Sequence, residues 1–132
     1  MVKEVLHPAN ACEAVERGGD AVVVSNHGGR QVDNAVPALD ALPRVVSALP
    51  DDVPLVFDSG VRRGSDALVA LAPGADAVGL GRPYAYGLAV DGADSVEAVL
   101  KNFLADLDLT LGLVGYDVEA VDREAVVRAD EL

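Results

Sequence analysis

The segment AVVVSNHGGRQ, residues 21–31, joins a short apolar run to a polar loop rich in glycine. The valines at 22–24 suit a buried parallel strand, and such strands commonly end in site-forming loops in α/β folds. A histidine can accept a proton near neutral pH, and an arginine can hold a carboxylate through two parallel hydrogen bonds. His27 and Arg30 therefore predict a site for an organic acid. A histidine beside a Gly-Gly turn is also common in surface loops, so this segment alone leaves both interpretations open.

Apolar runs and amphipathic segments alternate on both sides of this loop. Strands are predicted at residues 21–24, 53–57 and 75–79, and helices at 8–17, 36–49, 64–71, 84–88 and 95–113. This alternation is typical of βαβ units that build a parallel sheet. Pro43 lies inside a predicted helix and predicts a break or kink there. The residues after Gly115 are predicted to pack loosely, with a short helix near Arg123.

Two further loops combine glycine with arginine at the ends of predicted strands. One is DSGVRRG at residues 58–64, and the other is GLGR at residues 79–82. Backbone N–H groups in such turns, a helix N-terminus and an arginine side chain together attract phosphate. One such loop is a weak signal, but two on adjacent strands predict a phosphate site. A phosphate held at a distance from a reactive group indicates a ligand such as flavin mononucleotide (FMN).

The composition excludes several classes of protein. The chain has 132 residues and a net charge of −12, from 22 acidic and 10 basic residues, so it would repel nucleic acid. The acidic residues are mostly aspartate, which suggests a halophilic source, although an ordinary acidic protein remains an alternative. No apolar run approaches the roughly 20 residues of a membrane span. The single cysteine, Cys12, fits a cytoplasmic location, and no metal site is expected.

The motifs SNHGGRQ (residues 25–31), DSGVRRG (58–64) and GLGRP (79–83) resemble those of the FMN-dependent 2-hydroxy acid dehydrogenases and oxidases. That family includes glycolate oxidase, lactate oxidase and lactate 2-monooxygenase. The similarity covers roughly residues 1–115, and Ser59 with the run GRPYAYGLA (81–89) is most similar to the lactate 2-monooxygenase-like branch. The resemblance implies FMN as cofactor. It also implies oxidation of a small L-2-hydroxy acid, lactate-like or glycolate-like, to the 2-oxo acid or its oxidation product.

The resemblance also implies roles for individual residues. His27 would be the catalytic base, and Arg30 would bind the substrate carboxylate. Lys3 would stabilise the negative charge of the reduced flavin, and Ser25 would hydrogen-bond to its ring. The remaining cofactor-binding residues would be Asp58, Ser59, Gly60, Val61, Arg62, Gly81 and Arg82. Asp58 has a second interpretation, in which it orients His27.

The family fold is a TIM (β/α)8 barrel of about 250 residues. The chain resembles its C-terminal part, with the last three βα units and the end of the strand before them. We therefore expect a partial barrel at residues 1–115, an acidic C-terminal tail at 116–132, and uncovered sheet edges. The chain could be a remnant of a longer gene, assemble with a separate N-terminal barrel half, or form a homo-oligomer. The alternative functions are a non-catalytic FMN- or phosphate-binding fragment and a barrel-completing subunit.

Overall fold

The computed structural model describes residues 1–129, which contain a four-stranded parallel sheet in the order β1-β2-β3-β4. The strands are β1 (Val2–Val5), β2 (Val22–Val24), β3 (Leu55–Asp58) and β4 (Ala77–Gly79). The helices are α1 (Pro8–Glu16), α2 (Ala38–Val46), α3 (Gly64–Leu71) and α4 (Arg82–Val114). Each strand is followed by a helix, and each of the first three pairs with the next strand in the chain, as in part of a TIM barrel.

Strand β1 is longer than the sequence predicted, since only the end of a strand was expected before the three βα units. Val2 pairs with Val22 and Val5 pairs with Val24, but the register shifts between Lys3 and Val5. Glu4 is therefore the extra residue of a β-bulge, and its φ of 69° is in the left-handed region. A bulge bends the strand and changes the direction of the side chain that it carries.

The core lies between the sheet and the helices that cover it. Val22 and Val24 are fully buried, as are Leu42 and Val45 on the inner face of α2. That face has the helical spacing of an amphipathic segment, and it holds α2 against the strands. The predicted break at Pro43 is wrong, because α2 is helical on both sides of this residue, and the alternative of a kink stays a prediction. A proline there removes one backbone donor, and the buried face of the helix compensates for this loss.

Helices α3 and α4 meet at the N-terminus of α3. The Asp106 side chain of α4 accepts hydrogen bonds from the backbone N–H groups of Gly64 (2.6 Å) and Ser65 (3.4 Å). Such a carboxylate stabilises a helix N-terminus because it pairs with donors that lack a partner inside the helix. This contact fixes the end of the 58–64 loop against α4.

The last helix agrees with the two predicted helical segments. It spans both of them and has non-helical backbone at Asp91 and Gly92, between the two. Beyond it, the predicted short helix near Arg123 is a single 3-10 turn at Arg123–Ala125. The division of the chain at residue 115 stays a prediction, and residues 130–132 of the predicted tail lie outside the described residues. Across the described residues, no helix is both long and apolar enough to cross a membrane.

Candidate functional site

Lys3 of β1 and the ends and following loops of β2, β3 and β4 line one cleft at the carboxyl end of the sheet. The cleft has a volume of about 100 Å³. Every predicted site residue except Ser25 lines it. The full lining is Lys3, His27, Gly28, Arg30, Asp58, Ser59, Gly60, Val61, Arg62, Gly79, Gly81, Arg82 and Pro83. A residue of β1 and residues of three separate loops are thus brought together, as expected at the carboxyl ends of parallel strands.

A polar network connects the ends of β1, β2 and β3. The Ser25 hydroxyl is fully buried, accepts a hydrogen bond from Lys3 Nζ (3.0 Å), and donates one to Asp58 Oδ2 (3.2 Å). Lys3 also forms an ion pair with the Asp58 carboxylate. This network holds the Lys3 ammonium at the cleft. The predicted contact of Ser25 with a flavin ring stays a prediction, and the observed partners of its hydroxyl are protein groups.

The His27 loop is attached to the end of β3 by the Ser59 hydroxyl. Ser59 Oγ accepts hydrogen bonds from the backbone N–H groups of Asn26 (3.0 Å) and Gly28 (3.4 Å). The loop is a 3-10 turn in which His27, Gly28 and Gly29 all have positive φ, at 57°, 67° and 73°. Glycine adopts such angles without steric cost, which explains the Gly-Gly pair. The turn leaves the His27 side chain one-third exposed.

The partner of the His27 ring is Glu4, a residue that the sequence did not identify. His27 Nδ1 contacts the Glu4 carboxylate. The Asp58 carboxylate is paired instead with Lys3 and Ser25, so the interpretation in which Asp58 orients His27 is wrong. No sequence signal pointed to Glu4, because its direction depends on the bulge in β1.

Three arginines reach the cleft in different ways. Arg30 Nε donates to the His27 carbonyl at 3.3 Å. The Arg82 side chain packs close to the His27 loop. If Gly28 carried a Cβ atom, that atom would lie 3.2 Å from Nη2 of Arg82. The backbone N–H of Arg62 donates to Asp66 Oδ2 at 2.9 Å. The backbone N–H of Arg62 is therefore already paired, although Arg62 lines the cleft.

The remaining donors and the open space fit a phosphate-bearing cofactor. Within residues 1–129, no group of the chain accepts a hydrogen bond from the backbone N–H of Gly60, Val61 or Gly81. A Cβ on Gly60 or Gly81 would meet no atom within 4 Å, so the backbone borders open space. The lining carries four cationic side chains and a single carboxylate, although the whole chain is strongly acidic. Such a donor set suits the phosphate of FMN.

The cleft is nevertheless small for a complete cofactor site. Ligand pockets usually have volumes of about 300–1,000 Å³, several times that of this cleft. The described residues therefore enclose less space than such a pocket needs. In the part of the chain that the structure describes, no cluster of His, Cys, Asp and Glu side chains could hold a metal ion.

Comparison with known proteins identifies the family. The profile of the FMN-dependent dehydrogenases matches residues 1–128. The chain belongs to this family. Among similar proteins, the L-lactate oxidase of Lysinibacillus sphaericus (strain C3-41) is 50% identical over 131 residues, which are 98% of this chain and 34% of that protein. The FMN-dependent alpha-hydroxy acid dehydrogenase qulF of Penicillium citrinum is 49% identical over 115 residues, which are 87% of this chain and 29% of that protein.

Solved structures agree with this assignment. A crystal structure of mandelate oxidase with benzoyl-formic acid matches this chain with a TM-score of 0.88 and 40% identity. The match covers 92% of this chain and 37% of the mandelate oxidase chain. The predicted family, its FMN cofactor and the partial-barrel fold are thereby confirmed. The chain spans about a third of the length of the curated relatives that it matches.

Proposed function

We propose that this chain supplies the phosphate cradle and the catalytic base of an enzyme that uses FMN to oxidise a small L-2-hydroxy acid to the 2-oxo acid. The observation that carries the proposal is the presence of His27 and Arg30 in the same cleft as Arg62 and Arg82. A protein that only binds phosphate needs the two glycine-arginine loops. It has no need of a histidine and a further arginine beside them.

The chemistry assigns each side chain a distinct task. Oxidation of a 2-hydroxy acid to a 2-oxo acid removes two electrons and two protons from the substrate. When bound, FMN supplies the acceptor for the two electrons and one proton. His27 accepts the other proton as a general base. Arg30 holds the substrate carboxylate through its planar fork, which directs the reacting carbon toward the base.

Lys3 is suited to the charge that reduction creates. The lysine ammonium lies at the cleft and is fixed by Ser25 and Asp58. A fixed cation stabilises negative charge that develops during a reaction, because it needs no reorganisation at that moment. Lactate is the substrate that we favour, since several of the similar proteins are L-lactate oxidases. A glycolate-like acid is the next candidate.

The four strands form only part of the cleft walls, and a complete site needs additional strands. Strands β1 and β4 are the edges of the described sheet. Edge strands present unpaired N–H and C=O groups along their length. We propose that strands from elsewhere pair with these edges. Their source is a further segment of the protein, a separate chain that carries the other part of the barrel, or a second copy.

The small volume of the cleft favours a second candidate function, in which the chain binds FMN or phosphate without catalysis. A third candidate is a barrel-completing subunit, which acts only together with the strands that cover its edges. Both keep the phosphate cradle, and they differ from the main proposal in whether substrate reduces the bound flavin.

The test is an FMN titration of the purified chain in concentrated KCl, followed by anaerobic addition of L-lactate. Bleaching of the visible flavin absorbance supports catalysis by this chain, and binding without bleaching favours the non-catalytic candidate. Absence of FMN binding, both alone and after co-purification with a chain that carries the missing strands, contradicts the proposal. In an active assembly, His27→Ala should abolish flavin reduction while FMN stays bound. Reduction by this variant at the unchanged rate would show that the base is wrongly assigned.

A further inference from the structure

Glu4 occupies a backbone position that favours glycine. It is the extra residue of the β1 bulge, and its φ is 69°. A side chain in the left-handed region crowds the neighbouring backbone, whereas glycine adopts this conformation freely. Strained residues of this kind persist where the surrounding structure maintains them, and they are concentrated at functional sites. A glutamate in this position therefore calls for a reason beyond local backbone preference.

The Glu4 side chain provides that reason through its contact with His27. Its carboxylate contacts Nδ1 of the imidazole ring. The one carboxylate in the cleft lining, Asp58, is already bound to Lys3 and Ser25. Arg30 contacts the carbonyl group of His27 through its Nε atom. Glu4 is thus the acidic group that the fold directs at the ring.

We propose that Glu4 is a positioning residue for His27. Its carboxylate accepts the Nδ1–H hydrogen bond, which selects the tautomer whose Nε2 lone pair is available to take a proton. A carboxylate on one side of the ring also stabilises the imidazolium that forms after proton transfer, as in other histidine–carboxylate pairs. The catalytic meaning of this arrangement rests on the proposed function, but the tautomer of His27 does not.

The chain contains an internal reference for this property. It has two histidines, and the second, His7, is the N-cap of α1. His7 Nδ1 accepts a hydrogen bond from the backbone N–H of Ala9 at 3.2 Å. The neutral His7 ring must therefore carry its proton on Nε2. The structure assigns opposite tautomers to the two rings.

Long-range ¹H–¹⁵N correlation spectra of the ¹⁵N-labelled chain, recorded at mildly alkaline pH, distinguish the two tautomers directly. We expect a protonated Nδ1 in His27 and a protonated Nε2 in His7. Glu4→Gln keeps an acceptor oxygen and should preserve the His27 tautomer. Glu4→Gly fits the backbone and removes the acceptor. It should shift His27 to the Nε2-protonated form, while His7 stays unchanged.

Two results would overturn the proposal. One is an Nε2-protonated His27 in the unmodified chain, and the other is an unchanged His27 tautomer in Glu4→Gly. These spectra need neither FMN nor substrate, so they are independent of the proposed function. If His27 shows the expected tautomer but flavin is never reduced in the assembled protein, the proposed function fails and the contact stands. If flavin is reduced but Glu4→Gly leaves the tautomer unchanged, only the role of Glu4 fails.

Discussion

Gly64 is the position where a single added carbon should have the largest effect on the fold. A Cβ there would lie 2.0 Å from the backbone nitrogen of Leu107 and 2.5 Å from the carbonyl carbon of Asp106. Because both are backbone atoms, no change of rotamer relieves the clash, and α3 must move away from α4. Overpacking of this kind costs about 1–3 kcal/mol, and a hydrogen bond to a charged group contributes about 1.5–3 kcal/mol. Since the 2.6 Å bond to Asp106 would lengthen, we expect Gly64→Ala to lower the free energy of unfolding by about 3 kcal/mol.

Urea denaturation followed by circular dichroism measures this change. Gly112→Ala is the matched control, because Gly112 lies in the exposed interior of α4 and a Cβ there meets no atom within 4 Å. Alanine is preferred to glycine inside a helix, so this control should gain about 0.5–1 kcal/mol. If Gly64→Ala is as stable as the unmodified chain, or gains stability as the control does, the described packing of α3 on α4 is wrong. The displaced helix also carries the end of the 58–64 loop, so FMN affinity should fall in Gly64→Ala and not in the control.

Three further predictions concern the ligand and the solvent. Arg82→Gln should weaken FMN binding at least tenfold and leave riboflavin binding unchanged, because riboflavin lacks the phosphate. Fluorescence titrations measure both affinities, and an equal loss of affinity for the two ligands would place Arg82 away from the phosphate. In an assembly that reduces flavin, Arg30→Lys should raise the KM for the hydroxy acid about tenfold or more, since the lysine ammonium cannot reproduce the two parallel hydrogen bonds of the arginine guanidinium. An unchanged KM would exclude Arg30 as the carboxylate ligand. The urea midpoint should rise from low to multimolar KCl, because salt screens the self-repulsion of a chain with a net charge of −12. A flat profile would contradict the halophilic interpretation.

Local patterns predicted most of the fold. Helix α3 has the predicted bounds, and each predicted strand overlaps an observed one, although the observed strands differ by one or two residues at their ends. Periodicity and turn residues report on a few neighbouring positions, and these elements depend on little else. The break predicted at Pro43 does not occur, because the local cost of the proline is offset by the burial of the inner face of α2. Leu104 lies on the apolar stripe of α4 but is 62% exposed. The exposure could not be predicted, because periodicity does not show which part of a stripe packs against another element.

The candidate site was predictable as a set of loops but not as a set of contacts. The three motifs placed His27 and the arginines in one cleft, since the carboxyl ends of parallel strands share one edge. The Glu4–His27 contact could not be foreseen, because it depends on a register shift between β1 and β2. The backbone N–H of Arg62 is similarly occupied by Asp66, through a bond that only the folded loop shows. Contacts of this kind arise from register and loop closure, which a linear pattern does not encode.

The Ser59 hydroxyl has a consequence for how motion passes through the molecule. Ser59 belongs to the 58–64 loop, yet it holds the backbone of Asn26 and Gly28 on either side of His27. A shift of the 58–64 loop is therefore transmitted to the His27 loop through the Ser59 Oγ atom, and no strand has to bend. The φ of Ser59 is 151°, an angle that glycine tolerates better than serine. Glycine would ease the backbone and remove this link, and the hydrogen bonds of the Ser25 hydroxyl to the His27 backbone and to Asp58 would then be the remaining connection between the two loops.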